Sequence, residues 1–165
     1  MSAPAPTPET AATAPAWSVE RIDADRPERL DGLLDLFADA FEDPARYASR
    51  RPGAAWRRAL LARDDFVALA VLGQGRVVGG LAAYVLTKFE QERREVYLYD
   101  LAVAASHRRR GIATALIRAL GSIARTLGAD VVYVQADLDD EPAIALYTKL
   151  GAREDVLHFD LYPPP

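Results

Sequence analysis

Seven residues, Arg108-Arg109-Arg110-Gly111-Ile112-Ala113-Thr114, join a stretch of strand character to a stretch of helical character. Successive backbone N–H groups at such a junction converge on one concavity, and the positive end of the helix adds to their field. Gly111 and Ala113 are small enough to let a ligand approach the backbone. The arginines and Thr114 supply further charged and neutral donors. A diphosphate is the ligand such a turn suits. Three arginines at the positive end of a helix are locally unfavourable, and an anion among them would remove the conflict. The plainer alternative is a solvated basic helix start in which Gly111 serves only the turn. Two other nucleotide signatures, GxxxxGK[ST] and GxGxxG, do not occur in the sequence, which argues against P-loop and dinucleotide chemistry.

Asp100 interrupts the otherwise apolar run Val96 to Val103. Burial raises a carboxylate's pKa toward working pH, so this residue is a candidate base; a structural hydrogen bond at a bulge or strand end is the other reading. Tyr147 shares a helical face with Ala143, Leu146 and Leu150, so its phenol is a possible proton donor or a packed core group. Glu90, Glu92, Asp137, Asp139, Asp140, Glu141 and Asp160 form a candidate surface for a polycation. Among these, Asp137 follows a strand at its carboxyl end, where α/β folds place ligand groups. Asp139 or Asp140 also suits the N-cap of the next helix, and Glu90 and Glu92 suit ordinary loop solvation.

These residues need elements to hold them. Trp17 to Ile22 reads as a strand. From Pro27, Leu30, Leu34, Phe37 and Phe41 recur at helical spacing with Leu33 beside them, and Pro44 is expected to end that helix. A short helix is expected from Pro52 to Leu61. Phe66 to Leu72 and Val77 to Leu86 flank the turn Gly73-Gln74-Gly75-Arg76 as a hairpin. Val96 to Val103 is a strand. Ile112, Leu116, Leu120, Ile123 and Leu127 mark one helical face, stopped by Gly128. Val131 to Ala136 is a strand, the helix around Pro142 ends at Gly151, and Val156 to Leu161 is expected as a last strand. The order β-α-α-β-β-β-α-β-α-β describes one α/β or α+β domain over 17–165, preceded by an Ala/Pro/Thr-rich tail, 1–16, expected to be disordered.

The 165 residues are half apolar and 27% charged, with net charge -4 and a pI near 5.2. That balance fits a globular domain and disfavours non-specific nucleic-acid binding. The absence of cysteine excludes disulfides, thiolate catalysis and cysteine zinc cages. With two histidines, His107 and His158, one subunit cannot build an all-imidazole metal site, and no metal is expected. No apolar run approaches the ~20 residues of a membrane span, and the first residues lack a secretory pattern. A cytoplasmic location is the expectation.

The segment Arg108-x-x-Gly111-x-Ala113 resembles the acetyl-CoA pyrophosphate motif of the GCN5-related N-acetyltransferase (GNAT) superfamily, Q/R-x-x-G-x-G/A. Tyr99-Asp100-Leu101-Ala102-Val103 stands where that family has its central strand, and Ala145 to Gly151 matches a later helix. At a finer level the chain resembles the small aminoglycoside 3-N-acetyltransferases of the gentamicin-resistance type over roughly 28–160. Phe66 to Ala70, Gly80 to Leu86, Lys88 to Gln91, Tyr133 to Asp137 and His158-Phe159-Asp160 carry this likeness. Arg94 to Leu98 and the termini depart from it, which bears on substrate range rather than reaction type.

The resemblance implies the GNAT fold: a central, mixed, mostly antiparallel sheet flanked by helices, with strands 96–103 and 131–136 splaying into an acetyl-CoA cleft. It implies that Leu101, Ala102 and Val103 meet the pantetheine arm and that Arg108 to Thr114 hold the pyrophosphate. It further implies direct transfer to an amine, with Asp100 as base and Tyr147 near the thioester sulfur. Glu90, Asp100, Asp137, Asp140, Glu141 and Asp160 would receive a polycationic aminoglycoside. The chain would act as a homodimer, with neither nucleic acid nor membrane as partner.

Overall fold

The computed structural model describes residues 17–164; the expected tail at 1–16 lies outside the described residues. Five strands form one sheet in the order β1-β2-β3-β4-β5: β1 Ser18–Arg21, β2 Phe66–Gly73, β3 Arg76–Thr87, β4 Arg94–Val103 and β5 Ala129–Val134. The first four pair antiparallel, and β4 pairs parallel with β5. The helices are α1 Arg29–Ala40, α2 Pro44–Tyr47, α3 Ala54–Leu61, α4 Ile112–Thr126 and α5 Glu141–Thr148. This is the mixed, helix-flanked sheet of the GNAT fold. No helix among the described residues is long and apolar enough to cross a membrane.

The unbroken apolar run Phe66 to Leu72 is explained by burial on both faces. Val67, Leu69 and Val71 meet Ile112, Leu116 and Leu120 of α4 in one cluster. Phe66, Ala68 and Ala70 meet Leu30, Leu33, Leu36 and Phe37 of α1 in the other. On the α1 side the sheet is lined by small residues. A Cβ on Gly80 would stand 2.7 Å from the Leu69 carbonyl oxygen and overlap the Leu33 side chain, so glycine there lets α1 lie close to the sheet.

Three expectations need correction. Pro44 opens a helix instead of only closing one: Asp43 caps α2 by accepting from the Arg46 amide at 3.0 Å, and proline is preorganised for the first turn. Along α1 the buried stripe includes Leu36, whereas Phe41 is exposed at the C-cap. Finally, Val156 to Leu161 forms no strand. Residues 152–164 lie outside every element and are all exposed, and their alternation has no ladder partner within the described chain.

Two glycine substitutions test this packing in opposite directions. Gly80→Ala is expected to lower unfolding free energy by about 1–3 kcal/mol through overpacking. Gly121→Ala, whose added methyl meets nothing within 4 Å inside α4, is expected to raise it by about 0.5–1 kcal/mol. Urea denaturation of both variants distinguishes the two effects.

Candidate active site

Strand β4 carries one residue more than its neighbour. Ala82 pairs with Asp100 and Ala83 with Leu98, leaving Tyr99 as a bulge. A bulge re-aims the side chains beyond it. Leu98 packs in the α4 cluster while Ala102 packs in the α1 cluster, although unbroken alternation would have put both on one face. Asp100 turns with Ala102 toward α1 and α2. There its carboxylate accepts a hydrogen bond from the Tyr47 hydroxyl at 3.0 Å.

Partial burial raises the Asp100 pKa, opposed by that hydrogen bond and by the charge of Arg46. Tyr47 is itself pushed up to about 12, first by burial and then by the Asp100 charge, so it remains a donor throughout the neutral range. Phe37 and Phe41 pack around the Tyr47 ring with centroids 5.7 and 5.6 Å away. Tyr47 was not singled out in the sequence. The Asp-Pro cap before it was the available signal for a helix, but its contact with Asp100 spans 53 residues. Beside the bulge runs an aromatic surface: Tyr84 and Tyr99 meet edge-on at 5.7 Å, and Tyr97 stacks on Tyr133 at 4.9 Å.

The bulge also marks where two strands part. Pairing of β4 with β5 ends at Leu98 and Val134, while β4 runs on to Val103. Leu101, Ala102 and Val103 therefore have no β5 partner on that side. Beyond Val103 the chain makes a short 3-10 turn at Ala105–His107 and enters α4 through Gly111, whose φ of 78° is left-handed. Arg109 is also left-handed at 63°. Arg108 ties the turn to the strand, its Nε donating to the Val103 carbonyl at 3.2 Å. The first turn of α4 has neither a side-chain cap nor an acidic residue, and no carboxylate among the described residues pairs with Arg108, Arg109 or Arg110. Ile112 is buried as the anchor of the turn, with Ala113 and Thr114 part-buried behind it. The His107 ring meets the Ser106 hydroxyl at 2.9 Å, its one side-chain hydrogen bond among the described residues.

Of the remaining candidates, Tyr147 sits on α5, part-buried, its pKa pushed up to about 12 by burial and then by the Asp140 charge. Asp140 is the N-cap of α5, accepting from the Ala143 amide at 3.0 Å. Asp137 and Glu141 are exposed around that helix start. Glu90 lies in the loop between β3 and β4, paired with Arg93 at 2.5 Å. That loop abuts Arg94, roughly 20 Å along β4 from Asp100. Asp160 lies in the exposed C-terminal segment beside His158. The structure thus gathers Asp100 with Tyr47, and Asp137, Asp140 and Glu141 with the helix of Tyr147; Glu90 and Asp160 stand apart from both groups.

Residues 30–152 match the acetyltransferase (GNAT) family. The chain belongs to that family. Among solved structures, the fold superposes with a TM-score of 0.87 on an aminoglycoside acetyltransferase from an uncultured soil metagenomic sample, 53% identical, covering 90% of this chain and 99% of that one. A second aminoglycoside acetyltransferase of such origin, solved in complex with sisomicin, gives a TM-score of 0.82 at 30% identity over 90% of this chain and 97% of its own. Among curated proteins, N-acetyltransferase family 8 member 2 of Rattus norvegicus is 36% identical over 86 residues, which are 52% of this chain and 38% of the relative. The chain spans well under half the length of that relative.

GNAT chemistry is acyl transfer from acetyl-CoA, and the residues present fit the donor. The uncapped amides of α4, the left-handed Gly111 and three arginines without carboxylate partners among the described residues are groups that suit an anion. The unpaired edge of β4 can accept an extended amide chain. Among the described residues, no group of three or more His, Asp or Glu side chains could hold a metal.

Two substitutions follow from this geometry. Gly111→Ala adds a side chain in open space but strains a left-handed residue by about 1–2 kcal/mol, so acetyl-CoA affinity measured by calorimetry should fall about tenfold. Tyr47→Phe removes the bond that favours the charged form of Asp100. The Asp100 titration midpoint, followed by carboxyl carbon NMR, should move upward; an unmoved midpoint would show the hydrogen bond to be idle.

Proposed function

We propose that the chain transfers acetyl from acetyl-CoA to a primary amine of a small polycationic molecule. The observation that carries this reading is the bulge at Tyr99, which turns a part-buried carboxylate toward Tyr47 at the level of β4 where pairing with β5 has ended. Acetyl-CoA supplies an activated thioester carbonyl. Most alkylamines are protonated near pH 7, so Asp100 takes the amine proton, directly or through water. Its raised pKa brings it closer to that task, and the Tyr47 hydroxyl fixes the carboxylate's orientation. Tyr147 stays protonated and can donate toward the departing sulfur. The backbone of Leu101, Ala102 and Val103 and the turn Arg108 to Thr114 hold the donor.

For the acceptor, Asp137, Asp140 and Glu141 are the carboxylates proposed to receive ammonium groups together with Asp100, while Glu90 and Asp160 are proposed only as outlying acidic groups that attract a polycation. Asp140 has an oxygen committed to its cap, and Glu90 must share itself with Arg93. Asp137 and Glu141 are the freest. The soil-derived aminoglycoside acetyltransferases support an aminoglycoside acceptor; acetylation at the 3-amino group of 2-deoxystreptamine, conferring antibiotic resistance, is the finer proposal and rests on the sequence resemblance alone. The family 8 relatives support a second reading, an amine of another small metabolite, polyamine or peptide. The comparisons back this broader acceptor class better than the single position. We further propose that the protein acts in the cytoplasm, where its acyl donor is made, and as a homodimer.

A panel of gentamicin-like aminoglycosides, polyamines and peptide amines, assayed by thiol release with products mapped by NMR, separates the readings. Acetylation at position 3 supports the first; turnover confined to other amines supports the second. Asp100→Asn should lower kcat/KM by about 100-fold or more, and Tyr147→Phe about tenfold, the value of one hydrogen bond. Near-normal turnover by the Asp100 variant would remove the proposed base.

A further inference from the structure

The proposed chemistry uses Asp100 but leaves the tyrosines beside it without a task. Strand pairing sets Phe66 opposite Tyr84, Tyr84 opposite Tyr97 and Tyr97 opposite Tyr133, and cross-strand partners share a face of the sheet. Phe66 packs in the α1 cluster, so the whole row stands on the α1 face. Asp100 stands there too, since its partner Ala82 packs against the same cluster. The bulged Tyr99 joins the row between two of its members, edge-on to Tyr84 at 5.7 Å and to Tyr97 at 5.5 Å. Cover is lost along this line: Phe66 is 4% exposed, Tyr84 39% and Tyr99 53%.

Cross-strand packing alone explains aromatic neighbours in a sheet, but not a row left open beside a part-buried carboxylate. The Asp100 charge is felt along it: burial first, then the neighbouring tyrosines and Asp100, raise the pKa values of Tyr84 and Tyr97. Phenol rings attract ammonium groups through their electron-rich faces. Of the hydroxyls in the row, that of Tyr97 donates to Gln135 Oε1 at 2.7 Å, and those of Tyr84, Tyr99 and Tyr133 have no partner among the described residues. From β3 to β5 the row spans two strand spacings, roughly 10 Å, about the length of two six-membered rings. A rigid ring system meets such a surface with its shape already fixed, whereas a linear polyamine loses rotational freedom along its length.

We propose that this tyrosine row seats the acceptor and selects a ring-shaped polyamine over a linear one, with a ring of the acceptor against Tyr99 while one of its amines meets Asp100. Tyr99 is then a specificity-determining residue as well as the bulge that turns the carboxylate. This inference rests on the acetyl-transfer reading and adds the shape of the amine on which it acts.

Gentamicin and spermidine serve as the ring-shaped and linear probes, each assayed at saturating acetyl-CoA. In Tyr99→Leu the ratio of kcat/KM for gentamicin to that for spermidine is expected to fall about tenfold, through a raised KM for gentamicin, the effect of losing one aromatic contact with a cation. Tyr99→Phe keeps the ring and should hold the ratio within about threefold of wild type. Tyr133→Leu, on a different strand, repeats the measurement should the bulge not tolerate leucine. With CoA bound, the ring protons of gentamicin should shift in the NMR spectrum through the tyrosine ring currents, and that shift should shrink in Tyr99→Leu. A ratio that neither leucine variant changes, a phenylalanine variant as impaired as the leucine one, or a wild-type enzyme that prefers spermidine overturns the proposal while acetyl transfer stands. Wild-type protein that shifts the gentamicin protons yet acetylates no amine contradicts the catalytic reading instead.

Discussion

The extra residue at Tyr99 is the feature on which the site depends. A regular β4 would direct Leu98, Asp100 and Ala102 toward one face. The bulge separates them, leaving Leu98 against α4 and sending Asp100 toward Tyr47. Register with β5 is lost at the same point, because its last pair is Leu98 with Val134. One inserted residue therefore coincides with the end of pairing between the parallel strands and points a carboxylate away from the α4 core. Bulges commonly re-aim residues beside active sites. Here the effect is supported by the two separate clusters in which Leu98 and Ala102 are buried.

Donor binding draws on a different resource. The start of α4 presents amides that no side chain caps, and Gly111 adopts a left-handed conformation in which a Cβ would be strained. Helix polarity favours an anion there, and the arginines add charge without local compensation. These groups work through backbone placement and net charge, which many sequences can supply. The proposed acceptor side draws instead on individual side chains: Asp100, its Tyr47 partner, and the carboxylates around α5. This division explains why a family-level likeness specifies the acyl donor more closely than the amine.

The same division sets what could be read from the sequence. The apolar periodicities of α1 and α4, the β2–β3 hairpin and the glycine turn that opens α4 are local patterns, and each appears close to where its residues indicate. Asp100 was recognisable as a charge in an apolar strand. Its bulge was not locatable, because the register depends on Ala82 and Ala83 across the ladder. Tyr47 is hidden for a related reason: Pro44 reads as a helix stop in the sequence, and the Tyr47 hydroxyl meets a carboxylate 53 residues away. The last strand shows the opposite failure. The alternation in Val156 to Leu161 is genuine, but alternation specifies only a strand's two sides and leaves its neighbour undefined.

The protonation chemistry gives the clearest link between packing and the proposed reaction. Burial acts on both Asp100 and Tyr147 by penalising their charged forms, so it raises both pKa values. The consequences differ because the groups begin far apart. For a carboxylate, a rise brings proton affinity nearer to that needed to accept from an ammonium group. For a phenol already protonated at neutral pH, a rise makes ionisation more remote and keeps the hydrogen available for donation. Tyr47 tempers the first effect by donating to the ionised carboxylate, which favours the charged form and opposes the rise caused by burial. A single physical cause can thus prepare a proton acceptor and a proton donor on different elements, with the hydrogen bond from α2 setting the balance.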